Sequence, residues 1–473
     1  MLLFSTALFQ SCSSNNGSKK NTVQKTADSI LPKDNFLKGQ IIERVVCKND
    51  TSQSYALYLP STYSAEKKYP VIYAFDPHQT GKLPVSMYKE LAEQYGYIIA
   101  GSNNSKNGTS WEESQLIASK LFTDAGNRLS INTQKIYLLG FSGGARVANG
   151  IAITDGSIAG VICCGASAPA NNAGSSPLRN NYSFFGIAGN EDFNYTEMKK
   201  YDMTELAGRN VKHILITFDG KHEWPPKDRM DEAFWWLELN EMRKNTAVKN
   251  DSLIAKRLQP LLKQAAMYQQ KKQVYEAFNL YRKIITFYDG LADLSSCFAS
   301  YKTLQSNVEI DKRLKLEEGL WKEEEALKQQ YSKAMQTKDF VWWTKDIAAL
   351  NQKIKTGKDK NKVQMYERTL GFLSIAGYMQ ASNALKQNVL PAAAFFTKFY
   401  VLVDPSNTEA HYLAASVSAK EINAKEAINS LASAVKLGFK DITRLQNDDA
   451  FVSIKNTKEF EEIVAAVKKQ NAE

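Results

Sequence analysis

Hydrophobic and polar positions alternate in two different patterns along the chain. Up to about residue 244, short runs rich in Val, Ile, Leu and Tyr alternate with stretches of helical periodicity, which predicts strands and amphipathic helices in turn. Strands are predicted near residues 41–48, 53–60, 69–76, 97–103, 135–141, 158–165, 182–188 and 212–218. Helices are predicted near residues 83–95, 111–129, 144–154, 196–208 and 228–244. Two strands followed by β-α repeats predict an α/β fold, with an antiparallel start to a mostly parallel sheet and helices on both faces.

From about residue 248 onward the strands disappear, and long helical periodicities rich in Ala, Lys, Gln, Tyr and Leu take over. We therefore predict a tail at 1–38, an α/β domain at 39–246 and an all-α domain at 247–473. Small residues recur in pairs 12 positions apart in the all-α part: Ala265 and Ala277, Ala381 and Ala393, Ala415 and Ala427. The last two pairs are also 34 residues apart, a period that resembles the tetratricopeptide repeat, whereas 300–370 does not fit it.

The tail begins with a short apolar stretch that ends at Ser11 and Cys12, and a polar run rich in Ser, Asn and Lys follows. This pattern resembles a bacterial lipoprotein signal, in which the small residue before the cysteine permits cleavage and the cysteine carries a lipid. The resemblance implies a lipid anchor at Cys12, a disordered tether up to residue 38, and a place in the bacterial cell envelope, on the periplasmic side or the cell surface. The alternative is a disordered tail with an incidental cysteine.

The composition narrows the class of protein. With 43% apolar and 23% charged residues, and no apolar run near 18 residues after the first few positions, the chain is typical of a globular protein without a membrane-spanning helix. The net charge of +10 comes from lysines scattered along helical faces, which indicates a solvated surface rather than a nucleic-acid interface. The densest cluster lies in a predicted inter-helix loop and comprises Lys353, Lys355, Lys358, Lys360 and Lys362.

The cysteines beyond the tail indicate no disulfide framework, and no His/Cys spacing suggests a metal site. Cys163 and Cys164 are adjacent in a predicted buried strand, where neighbouring side chains point to opposite faces and are poorly placed to bond to each other. We expect these two residues, and also Cys47 and Cys297, to lie in the core as small hydrophobic side chains.

One motif carries chemistry. A predicted strand at 135–139 runs into Gly140-Phe141-Ser142-Gly143-Gly144, and a predicted helix follows at once. Glycines around a serine at such a turn permit strained dihedral angles and a close approach of neighbouring backbone. The pattern resembles the nucleophile elbow of the α/β-hydrolases, which implies that fold and makes Ser142 the nucleophile. The alternative is a glycine-rich connection with a solvated serine.

A serine hydroxyl needs a base within hydrogen-bond reach and a carboxylate that orients the base. The α/β-hydrolase resemblance implies the chain order nucleophile, acid, histidine, and this order excludes His78, which precedes the serine. His213 begins an apolar strand and His411 lies inside a helical repeat. His222, in the loop after the last predicted strand, is therefore the expected base. The alternative is a surface loop histidine.

The orienting acid is expected after the strand at 182–188, where the chain turns polar. The family often carries Gly-x-x-Asp at this place, and Gly189 and Asp192 match that pattern. The resemblance therefore makes Asp192 the acid. Glu191 and Asp219 remain alternatives, because the register at a strand end cannot be fixed from sequence.

The oxyanion hole of this family uses the backbone N–H after the nucleophile, here that of Gly143, and a second N–H from the loop after the third strand. Relatives often carry a His-Gly-Gly type sequence in that loop, but this chain has Asp-Pro-His-Gln at 76–79. Pro77 has no N–H, so the second donor is expected to be His78 or Gln79.

The α/β segment, with His-Glu-Trp-Pro at 222–225, resembles the esterases related to polyhydroxybutyrate depolymerases and feruloyl esterases. The resemblance suggests substrate-binding roles for Trp224, Trp111 and Phe141, and packing inside the loops is the alternative for the tryptophans. Trp235 and Trp236 belong to an amphipathic helix and are expected in the core.

The sequence as a whole predicts a lipid-anchored serine esterase, a carboxylic ester hydrolase that needs no metal and no organic cofactor. Its expected substrate is a carbohydrate- or aryl-linked ester, cleaved through an acyl-enzyme. One alternative is a weak or inactive hydrolase scaffold whose helical repeats bind a protein partner, a role that could also coexist with catalysis. Another is a serine peptidase, because the same triad can cleave amides.

Overall fold

The computed structural model describes residues 34–167 and 180–472. The predicted lipoprotein signal, with Cys12, and most of the predicted tether lie outside the described residues. Within the described ranges, no helix combines the length and the apolar character that crossing a membrane requires.

The first half of the chain forms one eight-stranded sheet with the order β1-β2-β4-β3-β5-β6-β7-β8. The strands are β1 (Ile41–Cys47), β2 (Asp50–Tyr58), β3 (Tyr69–Phe75), β4 (Ile98–Ser102), β5 (Ile131–Phe141), β6 (Ile158–Cys164), β7 (Ser183–Gly189) and β8 (Lys212–Phe218). β2 is antiparallel to both β1 and β4, and all other neighbouring strands are parallel. This is the α/β-hydrolase sheet that the sequence predicted.

In the described residues, helices follow β3, β4, β5, β7 and β8, and they cover both faces of the sheet. They are α1 (Lys82–Tyr95), α2 (Trp111–Arg128), α3 (Gly143–Ala152), α4 (Tyr195–Lys200) and α5 (Lys227–Arg243). The predicted helix near 196–208 is split, because a π-helical segment, Tyr201–Leu206, follows α4. β5 begins at Ile131, earlier than predicted, because Ile131 pairs with Tyr69 ahead of a register shift.

The remaining helices of the described residues follow the sheet. They are α6 (Asp251–Gln270), α7 (Val274–Tyr288), α8 (Ser295–Gln305), α9 (Val308–Thr337), α10 (Phe340–Thr356), α11 (Lys360–Lys386), α12 (Leu390–Val403), α13 (Thr408–Lys420), α14 (Ala424–Lys436), α15 (Ile442–Asn447) and α16 (Lys458–Ala472). We call α6–α16 the helical region. Its described part is all-α, as predicted.

The helices of this region pack as successive neighbours, with α11 against α12 and α13 against α14. Alanines of the predicted 34-residue period lie at these contacts and are fully buried, namely Ala381, Ala393, Ala415 and Ala427. The tetratricopeptide-like repeat stays a prediction. The expected lysine-rich loop is shorter than predicted, since α10 continues to Thr356 and α11 starts at Lys360, so most of these lysines lie on helix ends.

The boundary predicted at 246/247 falls between α5 and α6, but the hydrophobic core does not stop there. One core cluster runs from the sheet through α5 into α6, α7 and α8. At its centre, the ring of Phe287 lies 5.3 Å from Trp236 and 6.1 Å from Phe185, between ring centroids. The first helices of the helical region therefore form a further layer on the hydrolase sheet.

The second core cluster lies on the opposite face of the sheet, under α2 and α3. The cysteines of the described chain are buried, as predicted, and carry no disulfide. Trp235 and Trp236 are also buried, in agreement with their expected place in the core of α5. With both faces covered, the edge at which the parallel strands end is left for the loops that carry function.

Candidate active site

Ser142 stands at a sharp turn between β5 and α3. Its backbone has φ 52° and ψ −120°, a strained conformation for a residue with a side chain, and its N–H donates to the Cys164 carbonyl at 2.8 Å. A Cβ on Gly140 would lie 2.2 Å from the Gly144 carbonyl oxygen, and one on Gly144 would lie 2.0 Å from the Phe75 carbonyl oxygen. These glycines are required by close backbone contact, which is the geometry of a nucleophile elbow.

The three residues of the predicted triad come together at the carboxyl ends of β5, β7 and β8. Ser142 Oγ lies 2.9 Å from His222 Nε2, and His222 Nδ1 lies 2.9 Å from Asp192 Oδ1. The Asp192 side chain is 1% exposed and that of His222 is 18% exposed. This geometry assigns the Nδ1 proton to the bond with Asp192, which leaves Nε2 free to accept the serine proton.

Asp192 is positioned by hydrogen bonds and close contacts that the sequence did not predict. Its Oδ1 also accepts from the Asn194 backbone N–H at 2.8 Å, and the Asn194 side chain donates to the Gly165 carbonyl at 2.8 Å. Gly165 has φ +66°, and a Cβ there would lie 3.0 Å from Asp192 Oδ2 and 3.1 Å from His222 Cε1. The turn after β6 thus packs directly on the acid and the base.

The alternatives for the acid lie elsewhere. The Asp219 side chain is 77% exposed, and its nearest cation is Lys360 at 4.0 Å. Glu191 follows β7 next to Asp192, but it faces the helical region, where it interacts with Glu367. Neither carboxylate has a described hydrogen bond to His222, so Asp192 fits the role of the orienting acid best.

The other three histidines are engaged away from Ser142. The His78 side chain is 71% exposed, beside Asp76. His213 Nδ1 lies 2.7 Å from the Val211 carbonyl oxygen, and His411 Nε2 lies 2.9 Å from the Pro405 carbonyl oxygen. These positions agree with the elimination that favoured His222.

Aromatic side chains contact the base. The ring centroids of Phe141 and Phe193 lie 4.7 and 4.2 Å from that of His222, and Trp224 lies 5.3 Å from Phe141. Phe141 and Trp224, two of the predicted substrate-binding residues, therefore lie beside the triad. Trp111 instead packs against α3, where a Cβ on Gly150 would lie 2.5 Å from its ring, so packing accounts for its position.

The loop after β3 is organised around the buried carboxylate of Asp76. Its Oδ1 accepts from the His78 N–H at 2.8 Å and from the Thr80 hydroxyl at 2.5 Å, and its Oδ2 accepts from Trp224 Nε1 at 3.0 Å. The Gln79 N–H donates to the Ser105 carbonyl at 2.9 Å. The two N–H groups predicted as possible second oxyanion donors are those of His78 and Gln79. Both are thus already hydrogen-bonded within the protein, to the Asp76 carboxylate and to the Ser105 carbonyl.

Gly143 is the first residue of α3, a position whose N–H has no acceptor within the helix. A Cβ on Gly143 would lie 1.8 Å from Asn107 Oδ1, so the Asn107 side chain lies directly against the elbow. The Asn107 backbone N–H donates to the Pro77 carbonyl at 2.9 Å and fixes this residue to the loop after β3. No motif in the sequence pointed to Asn107, since only the folded chain brings it to Gly143.

The helical region holds the loop that carries Asp192. Arg368 Nη1 donates to the Asn190 carbonyl at 2.8 Å, and Lys328 Nζ donates to the Phe193 carbonyl at 2.7 Å. The fully buried Glu324 binds both cations, Arg368 Nε at 2.8 Å and Lys328 Nζ at 2.6 Å. The backbone on either side of Asp192 is thus fixed by side chains of α9 and α11.

Burial determines the protonation state of the two thiols near the elbow, those of Cys163 and Cys164. It raises the pKa of the Cys163 and Cys164 thiols well above the usual range, so both stay neutral and are poor nucleophiles. Across the described ranges, no group of three or more His, Cys, Asp or Glu side chains is arranged to hold a metal ion.

The sheet order and the elbow define the α/β part of the chain as an α/β-hydrolase fold. No protein-family model matches the chain, and no curated protein matches its sequence. Among solved structures, an esterase of Pyrobaculum calidifontis is similar at a TM-score of 0.34 and 14% identity, over 45% of this chain and 87% of that chain. A ferulic acid esterase is similar at a TM-score of 0.32 and 17% identity, over 42% of this chain and 95% of that chain. The carboxylesterase of Bacillus cereus has a TM-score of 0.33 and 15% identity, over 41% of this chain and 97% of that chain.

Proposed function

We propose that this chain is a serine carboxylic ester hydrolase that works through an acyl-enzyme. The observation that carries the proposal is the pair of 2.9 Å contacts that link Ser142 Oγ to His222 and His222 to Asp192. These contacts form on a turn whose serine is held at φ 52°. A strained serine, a base with a free nitrogen and a buried acid together activate a hydroxyl at neutral pH.

In the first step, His222 Nε2 takes the proton of Ser142 while Oγ bonds to the ester carbonyl carbon. The carbonyl oxygen becomes an oxyanion, and Asp192 stabilises the imidazolium that has formed. The imidazolium then gives its proton to the alkoxy oxygen, the bond from the carbonyl carbon to that oxygen breaks, and the alcohol leaves. Ser142 is left carrying the acyl group.

In the second step, water repeats the chemistry in the same geometry. His222 takes a proton from the water as its oxygen attacks the acyl carbon, and then returns a proton to Ser142 Oγ as the acid leaves. The products are one carboxylic acid and one alcohol, and the free enzyme is restored. Every proton in this scheme passes through His222, so the scheme uses no second acid or base for proton transfer.

The oxyanion needs two donors, and the Gly143 N–H is the first of them. For the second we propose the side-chain amide of Asn107, which lies against Gly143. Rotation of that amide exchanges its oxygen and nitrogen, so Nδ2 can replace Oδ1 at this place when an oxyanion forms. An asparagine amide is an established type of oxyanion donor in serine hydrolases.

The substrate class proposed from the sequence is a carbohydrate- or aryl-linked ester in the bacterial envelope. The rings of Phe141, which is buried, and Trp224, which is half-buried, lie beside the triad and are the support for a ring-shaped group on the substrate. The Ser11-Cys12 pattern supports a lipid anchor at Cys12. A peptidase would use the same triad, and tests with amide substrates would separate the two.

A second candidate is a weak or inactive hydrolase whose helical region binds a protein partner. One observation favours it: the His78 and Gln79 N–H groups are both bonded inside the loop, and loss of one oxyanion donor typically costs about 10²–10³ in turnover. This candidate predicts very slow ester turnover, together with a partner retained by the full-length protein.

Hydrolysis of 4-nitrophenyl acetate by the wild-type chain and by Ser142→Ala separates the two candidates. We expect the variant to lose about 10⁴-fold or more in kcat, because the nucleophile and its base act as a unit. Ser157→Ala, which changes an exposed serine after α3, is the matched control and should leave kcat unchanged. Full activity in Ser142→Ala would exclude the proposed serine chemistry.

A further inference from the structure

A cavity of about 480 Å³ lies between the hydrolase sheet and the helical region, against His222. We call it the interdomain cavity. From the hydrolase side it is lined by Glu191, Phe193, Lys221 and His222, and from the other side by α10, α11, α12 and the turn before α13. Its volume falls within the range of roughly 300–1,000 Å³ that is usual for small-molecule sites.

The position of the cavity relative to the triad indicates which part of an ester substrate it accommodates. Its described lining includes His222 but does not include Ser142. His222 is the group that gives a proton to the departing alcohol, so the alkoxy oxygen must lie next to its Nε2 during that step. A cavity that touches the general acid and not the nucleophile is placed for the alcohol part of the ester rather than for the acyl part.

Polar groups on the helical side fit a ligand that carries hydroxyl groups. Asp404 Oδ2 accepts from the Ser374 hydroxyl and from Asn407 Nδ2, both at 2.9 Å, and this fixes the orientation of all three side chains on the wall. Tyr400 lies on the same wall. Hydroxyl, amide and carboxylate groups together offer both donors and acceptors, as hydroxyl-rich ligands require.

The charge of the cavity lining favours one class of alcohol over another. Three carboxylates, those of Glu191, Glu367 and Asp404, face the cavity, and Lys221 is the one cation of its described lining. Burial raises the pKa of the Glu367 carboxyl most, and the nearby Glu191, on the opposite side of the cavity, raises it further. An anionic alcohol would be repelled here, whereas a neutral alcohol can bond to the same oxygens.

We infer that the interdomain cavity is the subsite for the alcohol part of the ester, and that it takes a neutral, hydroxyl-rich alcohol of about monosaccharide size. The inference rests on the proposed function. It makes the helical region part of the catalytic unit, because α10, α11, α12 and the turn before α13 supply one wall of the subsite. Phe193 supplies an apolar surface on the opposite wall, against which a sugar ring can pack.

Three acetate esters with different alcohols test this assignment: ethyl acetate, glucose 6-acetate and 3-acetoxypropionate. They share the acyl group and differ only in the part that would enter the cavity. We expect glucose 6-acetate to be cleaved with a kcat/KM about tenfold or more above that of ethyl acetate, and 3-acetoxypropionate to fall below both. A glucose ester cleaved no better than ethyl acetate, including one not cleaved at all, overturns the inference.

Ser374→Phe fills the cavity from α11, and Gln380→Phe, at an exposed position of the same helix, is its matched control. We expect Ser374→Phe to lower kcat/KM for glucose 6-acetate by roughly tenfold, mainly through KM, and to leave ethyl acetate within about twofold. An equal loss on both esters, or no loss on either, contradicts a subsite in this cavity.

Glu367→Gln keeps the shape of the wall and removes one charge. It should raise kcat/KM for 3-acetoxypropionate by about threefold to tenfold and change ethyl acetate little, because it weakens the repulsion of the anion. An unchanged ratio between these two esters overturns the charge assignment, even if Ser374→Phe folds poorly.

Labelling of wild-type protein by a small ethoxy fluorophosphonate separates failure of the subsite from failure of the proposed function. This probe reports on Ser142 and His222 without filling the cavity. Labelling without a preference for the glucose ester overturns the subsite alone. Absence of labelling overturns the ester hydrolase itself, and the subsite with it.

Discussion

Gly165 shows that a single residue can constrain the geometry of the triad. It has a positive φ, and a Cβ there would lie 2.8 Å from Phe141 Cε2, 3.0 Å from Asp192 Oδ2 and 3.1 Å from His222 Cε1, so a side chain would shift these groups by a few tenths of an ångström. We expect Gly165→Ala to lower kcat by about tenfold, since a displacement of about 1 Å at a catalytic group can cost about 10²-fold and this displacement is smaller. Steady-state kinetics on 4-nitrophenyl acetate measure the effect.

Gly96→Ala is the matched control for that substitution. Gly96 also has a positive φ, +74°, but a Cβ there would meet nothing within 4 Å. Both variants therefore carry the backbone cost of a left-handed alanine, and only Gly165→Ala adds contact with the triad. If the two variants lose activity equally, backbone strain explains the loss and the proposed crowding of the triad is wrong.

Asn107 provides the test of the proposed oxyanion hole. Asn107→Ala removes the amide, so we expect kcat on 4-nitrophenyl acetate to fall by about 10²–10³ while KM changes little, because the donor acts mainly in the transition state. Lys106→Ala, at the preceding exposed position, should behave like wild type. Wild-type kcat in Asn107→Ala would show that the second donor lies elsewhere.

Local sequence reveals only part of this site. Ser142 could be predicted because the elbow is a contiguous motif, and His222 and Asp192 were implied by the resemblance to the α/β-hydrolases, with their chain order of nucleophile, acid and histidine. The structure brings these three together. Asn107 and Gly165 could not be found in the same way, because their roles depend on backbone approaches that only the folded chain creates. The His78 and Gln79 N–H groups could not be judged either, since their acceptors, Asp76 and Ser105, are set by the shape of the loop.

At the scale of elements, the helical region is linked to the triad most directly by the contact between helices α9 and α11 and the loop that carries Asp192. Lys328→Met removes the bond to the Phe193 carbonyl and leaves Glu324 with Arg368 alone. We expect kcat on ethyl acetate to fall by roughly tenfold with KM unchanged, because the loop positions the acid and does not bind this small substrate. We also expect a loss of stability of about 1–3 kcal/mol, since the variant removes one charged hydrogen-bond partner of the buried Glu324 while Arg368 still pairs with it.

Two further variants separate positioning from general damage. Lys328→Arg keeps a donor at the end of the side chain and should restore most of kcat. Lys322→Met removes an exposed ion pair with Glu318 on the same helix, and such pairs contribute about 0–1 kcal/mol. If Lys328→Met loses stability while kcat on ethyl acetate stays at the wild-type level, the network is structural and does not position Asp192.

The strands were predictable because their hydrophobic pattern is local, and the eight observed strands lie within a few residues of their predicted places. The contact of Arg368 with the Asn190 carbonyl joins positions 178 residues apart. Neither residue stands out in its own segment. No periodicity or motif encodes such a pairing, which explains why the sequence suggested a separate helical domain and not one that reaches the active site.

At the scale of the whole molecule, the predicted division into an α/β domain and an all-α domain follows a change of pattern in the sequence. The packing of the folded chain does not separate these two parts. The core under the sheet continues through Trp236 to Phe287, and the helical region also supplies the ion network and one wall of the interdomain cavity. Removal of the helical region would expose this apolar surface to water. Binding of a partner by the helical region, the second candidate function, therefore has to be compatible with the place of that region beside the triad.

The measurement that tests the central claim most directly is the site at which a fluorophosphonate probe attaches to the native wild-type protein. After labelling and digestion with trypsin, mass spectrometry locates the adduct. We predict a single adduct in the peptide 136–146, on Ser142, and no adduct in Ser142→Ala or in protein denatured before labelling. A native protein that stays unlabelled, or that is labelled equally with and without Ser142, would contradict the assignment of a serine hydrolase.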